Sequence, residues 1–324
     1  MLRVTQQNVK EWAENETFRT MFTRTVTDIA GEVPEAVLMV ADLGRAMKAA
    51  AFISLYPERY IQVGIAEQNL IGVAAGLASC GKIPFVTTFA PFATMRCCEQ
   101  IRDDVAYTNF NVKIVGSESG VSLGTLGATH YAIEDIGVMR SIPNMVIISP
   151  ADGAELVKSM QAAARYYGPV YIRMGGSNKL PFVYKDDYEF VLGKAVMLKE
   201  GTDCTIIATG TMVSRALDAA VLLEKEGINA RVINMHTIKP IDEDAIIKAA
   251  NDTGLVVTVE EHNIVGGLGS AVGEVMAQNG TGKLVKFGLP DMFASTIAPY
   301  NDLLERYGLT SENIALKIRE LVKR

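Results

Sequence analysis

The stretch "VGIAEQNLIGVAAGLASCGKIPFVTTF", residues 63–89, decides how the rest of the chain is read. It joins a small-residue helical pattern, opened by the single acid Glu67, to a short apolar run, "IPFVTTF" (83–89). Helices alternating with continuous apolar strands argue for a parallel sheet covered on both faces. Glu67 itself, flanked by Ile65 and Leu70, allows two readings. A desolvated carboxylate is costly unless it is paired or performs chemistry. At a helix N-terminus it can also simply favour the dipole.

The same alternation extends outward. "AVLMVADL" (36–43), "NVKIVGS" (111–117), "NMVIISP" (144–150) and "PVYIRM" (169–174) read as buried strands, with helical patterns such as "GAELVKSMQAAARYYG" (153–168) between them. "GGSNKLPFVYKDDYEF" (175–190) is rich in turn formers and charge and reads as a linker. A second series follows, with strands at "CTIIATG" (204–210), "ARVINM" (230–235) and "LVVTVEEH" (255–262). The chain ends in an amphipathic helix, "SENIALKIRELVKR". The fold class is therefore α/β, with two consecutive domains of mainly parallel sheet flanked by helices. The boundaries fall at 1–177 and 191–324, with a linker at 178–190. A length of 324 residues suits two domains at roughly 150 residues each.

Composition excludes several classes. The net charge of −6 is mild and no basic cluster occurs, so nucleic acid is not an expected partner. Cys80, Cys97, Cys98 and Cys204 show no zinc spacing, and a reduced, cytoplasmic setting fits them best. No apolar run reaches the ~18 residues of a membrane span, and the polar, acidic N-terminus is not a signal peptide. Three histidines, His130, His236 and His262, are too few for a His-rich metal site, and no metal ligands are expected on this chain.

Loops at the carboxyl edge of a parallel sheet bind ligands in such folds. "GGLGSA" (266–271) resembles half of a dinucleotide fingerprint, but Val272 stands where the third glycine belongs, so a tight turn is the better reading. "GVSLGTLGATH" (120–130) brings three glycines before His130. Such a loop offers close backbone approach, and its histidine is either a proton shuttle or an ordinary turn residue. "TTFAPFATM" (87–95) sets Phe89 and Phe92 just beyond a strand, as core filling or as a face for a flat ligand.

Together these pieces resemble the C-terminal half of transketolase. "GIAEQNLIGVAAGLA" is similar to that family's cofactor-activating segment and "FVTTFAPFATMR" to its aromatic pocket. "IEDIGVMRSIPNMVIISPAD", "GPVYIRMG" and "TVEEHNIVGGLGSAVGEV" continue the likeness in order over nearly the whole chain. The resemblance implies a pyrimidine-binding domain followed by the transketolase C-terminal domain, and thiamine diphosphate as cofactor. It implies that Glu67 hydrogen-bonds N1′ of the aminopyrimidine, that Phe89 and Phe92 contact that ring, and that Asp42 and Leu43 lie near it. The cofactor then serves as electron sink while a two-carbon ketol unit passes from a ketose to an aldose. Arg19 and Arg173 match family arginines that hold the substrate phosphate, and His130 matches a histidine near the reacting oxygens.

Full-length family members begin with another domain, which binds the diphosphate through Mg²⁺ with a G-D-G motif. This chain has no G-D-G. The resemblance thus implies the second subunit of a split enzyme, with Mg²⁺ ligands on an N-terminal partner and two copies of each subunit in a heterotetramer. The sugar loop departs from the family pattern. Glu118 replaces a phosphate-side histidine, and Thr125 and Leu126 replace a Glu-Asp pair whose Asp meets a sugar hydroxyl. Ala46 stands where a phosphate-binding serine is common, while Arg45 and Lys48 add charge. A branched-sugar phosphate or a sulfosugar suits such a pocket, since either keeps an anionic end. Two further readings stay open: the beta subunit of a 2-oxoacid dehydrogenase, and a non-catalytic assembly subunit, against which the retained Glu67, His130, Phe89 and Phe92 argue.

Overall fold

In the computed structural model, which describes residues 1–176, 181–293 and 296–323, the strand read at 36–43 forms over Ala36–Val40 (β1), with all five residues buried. Val37 and Met39 enter one apolar cluster, while Ala36, Leu38 and Val40 enter another. Covering on both faces is why this strand is apolar throughout rather than alternating.

The first sheet continues with Tyr60–Gln62 (β2), Ile83–Phe89 (β3), Lys113–Ser117 (β4), Val146–Ile148 (β5) and Val170–Arg173 (β6). The chain then forms Val196–Lys199 (β7), Cys204–Ala208 (β8), Ala230–Asn234 (β9), Thr237–Lys239 (β10), Leu255–Asn263 (β11) and Lys283–Leu289 (β12). The two sheets run β10-β5-β6-β4-β3-β1-β2 and β12-β11-β8-β9-β7. Among the strands of the described residues, β10 on β5 and β7 on β9 pair antiparallel and the other pairings are parallel. β10 is a departure from the sequence reading. It follows a strand of the second sheet, yet it covers the open edge of β5 in the first. The core is likewise shared: the cluster holding Val37 and Met39 extends to Ile207, Ile233 and Leu268.

Residues 178–180 of the expected linker lie outside the described residues. From Pro181 onward it has no regular structure, but it is held firmly. Val183 and Tyr184 donate their amides to buried Asp152 at 2.6 and 3.0 Å. Tyr184 stacks on Tyr188 at 3.8 Å, and the Tyr188 hydroxyl donates to Glu155. The polar N-terminus, read only as not a signal, forms helices Gln6–Asn15 and Phe18–Glu32, the second opened by a Thr17–Thr20 capping box. Arg19 therefore sits in a first helical turn.

Because β1 to β4 and β6 are parallel, their carboxyl ends share one edge. Asp42, Glu67, Phe89, Glu118 and Arg173 all follow or end these strands at that edge.

Candidate active site

Glu67 is the first residue of helix Glu67–Ser79, whose buried side chains are Glu67, Leu70, Ile71, Ala74 and Ala75. That spacing is one helical stripe facing the core. The acid thus lies on the buried face of its helix, and only 4% of it is exposed. Ile65, by contrast, points to solvent. The helix N-terminus favours the negative charge, but the direct partner is Arg96, whose Nη1 donates to Glu67 Oε2 at 2.7 Å. The sequence reading missed this ion pair.

Phe89 and Phe92 are half-buried at the end of β3. Their ring centroids lie 6.1 Å apart, and the His130 ring stands 6.1 Å from Phe89 and 5.3 Å from Phe92. The Arg96 guanidinium rests 4.1 Å from the Phe92 centroid. Arg96 joins Glu67 to Phe92, and the rings of Phe89, Phe92 and His130 meet one another, so the structure brings together residues from three separate segments of the chain. Thr129 Oγ1 lies 3.0 Å from His130 Nδ1. Cys97, next to this group, donates to the Phe92 carbonyl, and burial followed by the Glu67 charge pushes its thiol up to about 12. It is an inert thiol.

Asp42 has φ 55 and an exposed side chain, and its amide donates to Gln62 Oε1 at 2.7 Å. Gly64 donates to the same oxygen. Gln62 thereby ties the end of β1 to the turn that delivers Glu67. Leu43 packs on the apolar cluster behind β1.

Arg19 and Glu118 meet each other. Arg19 Nε donates to Glu118 Oε1 at 2.6 Å, with side-chain exposures of 18% and 0%. Glu118 has φ 57, a conformation costly for a side chain with a Cβ and concentrated at functional sites. Leu126, farther along the loop, is exposed.

Arg173 is enclosed where the two sheets meet. Nε donates to Asp135 at 2.8 Å, and Nη2 donates to the carbonyls of Ala132 and Glu261 at 3.1 and 2.8 Å. Where a substrate anion was expected, this guanidinium meets protein groups, and its side chain is 3% exposed.

The end of β11, Glu260–His262, holds the seam together, a role not read from "TVEEH". Glu261 Oε1 accepts from the Val121 amide at 2.7 Å, and Oε2 accepts from Thr211 and Tyr300. The loop that leads to His130 is thus fastened to the second sheet. His262 Nε2 accepts from the Gly137 amide and Nδ1 donates to the Asn263 carbonyl. Burial pulls its pKa down to about 4, in keeping with this neutral form. Glu260 accepts from the amides of Leu268 and Gly269 at 2.6 and 2.8 Å. The donors of the "GGLGSA" turn are therefore occupied by a buried carboxylate, and the turn does not cradle a phosphate. Buried acids at the end of an apolar strand require such partners, and that is the signal which marks them in the sequence.

Comparison with known proteins identifies the family. Residues 15–179 match the family described as transketolase, pyrimidine binding domain, and residues 193–314 match transketolase, C-terminal domain. The chain is 41% identical to a 6-deoxy-6-sulfo-D-fructose transketolase subunit SqwH of Clostridium sp., over 96% of each chain. It is 41% identical to one subunit of an apulose-4-phosphate transketolase of Phocaeicola vulgatus, over 94% of this chain and 97% of that one. A solved structure of a split gene transketolase, described as an inactive beta4 tetramer, superposes with a TM-score of 0.88 at 43% identity, covering 94% of this chain and 98% of that chain. With both domains in order and relatives of matching length, the chain belongs to the transketolase family, as the C-terminal subunit of a split enzyme.

Proposed function

We propose that this chain is the C-terminal subunit of a thiamine-diphosphate-dependent split transketolase. It works with an N-terminal partner and moves a two-carbon ketol unit from a ketose phosphate or related anionic sugar to an aldose. The observation that carries this reading is the carboxylate at a helix start joined through Arg96 to Phe92, whose ring meets those of Phe89 and His130. That donor set suits an aminopyrimidine: rings for its faces and a carboxylate for its ring nitrogen. Phe89 and Phe92 would flank the ring, Asp42 and Leu43 would border it, and Glu67 would hold the proton at N1′. When bound, the cofactor supplies the electron sink for carbon–carbon cleavage.

His130 has its Nδ1 beside Thr129 Oγ1, which leaves Nε2 to exchange a proton with the substrate's reacting oxygen. Arg19 and Glu118, with Leu126 on the same loop, would read the far end of the sugar. Arg173 would act from behind, by setting the 118–132 loop through Asp135 and the Ala132 carbonyl. Mg²⁺ and the diphosphate are assigned to the partner subunit, and the relatives named as subunits support a two-chain enzyme. Their names, which specify 6-deoxy-6-sulfo-D-fructose and apulose-4-phosphate, support an anionic sugar substrate.

The test is Glu67→Gln in the enzyme assembled with its partner. Gln keeps the size but cannot exchange a proton with N1′. Exchange of the cofactor's C2 proton should nearly vanish while the fold is retained. Near-wild-type exchange would remove Glu67 from this role.

A further inference from the structure

Arg96 is the one cation bonded to Glu67 among the described residues. It closes the π-helical turn Phe92–Arg96. Such turns are rare and cluster at functional sites, where they re-aim side chains. Here the turn lays the guanidinium against the Phe92 ring while its Nη1 holds Glu67 Oε2. Two groups of the site, the Phe92 ring and the Glu67 carboxylate, are thereby locked to one side chain. The second carboxylate oxygen, Oε1, accepts no hydrogen bond among the described residues and is not among their fully enclosed, unpartnered atoms. One oxygen is pinned and the other stays open.

Building on the aminopyrimidine reading above, we propose that Arg96 is a positioning residue for Glu67. It fixes Oε2 so that Oε1 is the oxygen that meets N1′. A charge-assisted bond at 2.7 Å fixes the carboxylate far better than non-directional apolar packing would. The Arg96 side chain is 44% exposed, so replacing it opens no core cavity.

The experiment uses this chain assembled with its G-D-G partner, Mg²⁺ and thiamine diphosphate, comparing Arg96→Met, Arg96→Lys, Glu67→Gln and the double variant Arg96→Met/Glu67→Gln. Cofactor Kd, C2 proton exchange and thermal unfolding are measured for each. Arg96→Met should slow exchange by roughly tenfold or more and weaken cofactor binding, as expected for loss of a charged hydrogen bond. Arg96→Lys should recover most of both. In the Glu67→Gln background Arg96→Met should add less than about twofold, because its effect runs through Glu67. Exchange and Kd within twofold of wild type in Arg96→Met would overturn the proposal. So would an equal effect in both backgrounds, which would mean that Arg96 acts on the Phe92 turn alone. If Glu67→Gln itself exchanges normally, the aminopyrimidine reading fails, and this proposal fails with it. A loss in Arg96→Met that Arg96→Lys does not share supports it.

Discussion

Glu118→Gln gives the sharpest test of how this subunit reads its sugar. Arg19 and Glu118 pair at 2.6 Å with Glu118 fully buried. An anionic sugar end that seeks Arg19 must compete with that carboxylate. A hydrogen bond to a charged group is worth about 1.5–3 kcal/mol, so the competition amounts to roughly tenfold to a hundredfold in apparent affinity. Gln preserves the shape and the contact with Ser122 but removes the charge. The variant should lower KM for phosphorylated or sulfonated ketoses by about tenfold and leave kcat within about twofold, since the reacting carbon is elsewhere. Its stability cost should be small, about 1 kcal/mol, because Arg19 is partly open to water. The assay is kcat and KM of the reconstituted enzyme for anionic and neutral ketoses. An unchanged ratio of anionic to neutral KM would show that Glu118 does not compete for Arg19, and the substrate assignment of this pair would fall.

Leu126→Asp, combined with Glu118→His, should shift kcat/KM toward ordinary linear sugar phosphates by tenfold or more, a hydrogen-bond energy of roughly 1–3 kcal/mol; static kcat/KM ratios would show that this loop does not read the sugar. Gly120→Ala should destabilise the chain and depress turnover, since Gly120 has φ 65 and an added Cβ would overlap the Glu261 carboxylate; a melting temperature equal to wild type would contradict that packing. Glu260→Gln should destabilise at every pH, because Gln cannot accept from both Leu268 and Gly269. Burial raises the Glu260 pKa to about 7, so the folded state binds more protons than the unfolded state between about pH 4.5 and 7. Wild-type stability from this group therefore falls as pH rises through that window, and the gap to Glu260→Gln should narrow between pH 5 and pH 8 in denaturant titrations. A gap that widens would reverse the assigned sign.

Most of the strands were legible because a strand buried on both faces announces itself as an apolar run. β1, β3, β4, β5, β6, β8, β9 and β11 all read that way. β2, β7, β10 and β12 did not: the first three are three- and four-residue edge strands that carry too little pattern to separate from loops, and β12 is an edge strand broken by Lys283 and Lys286 rather than an apolar run. The placement of β10 in the first sheet is a tertiary event with no local signal. At the site, Glu67, Phe89, Phe92 and His130 were visible from sequence as unusual residues at strand ends. Their partners were not. Arg96 and Glu67 lie 29 residues apart, and Arg19 and Glu118 lie 99 apart. No spacing rule links residues across such distances, and only the fold brings them together. Arg173 shows the converse: its position at a strand end was legible, but the buried Asp135 that holds it was not.

On the proposed function, this chain supplies half of a shared active site. The direct measurement mixes the purified chain with its G-D-G partner, Mg²⁺ and thiamine diphosphate, then reads mass by size exclusion with light scattering and ketol transfer by a coupled assay. An active complex with two copies of each subunit is expected, and no ketol transfer from this chain by itself. Full transferase activity from this chain alone would contradict it.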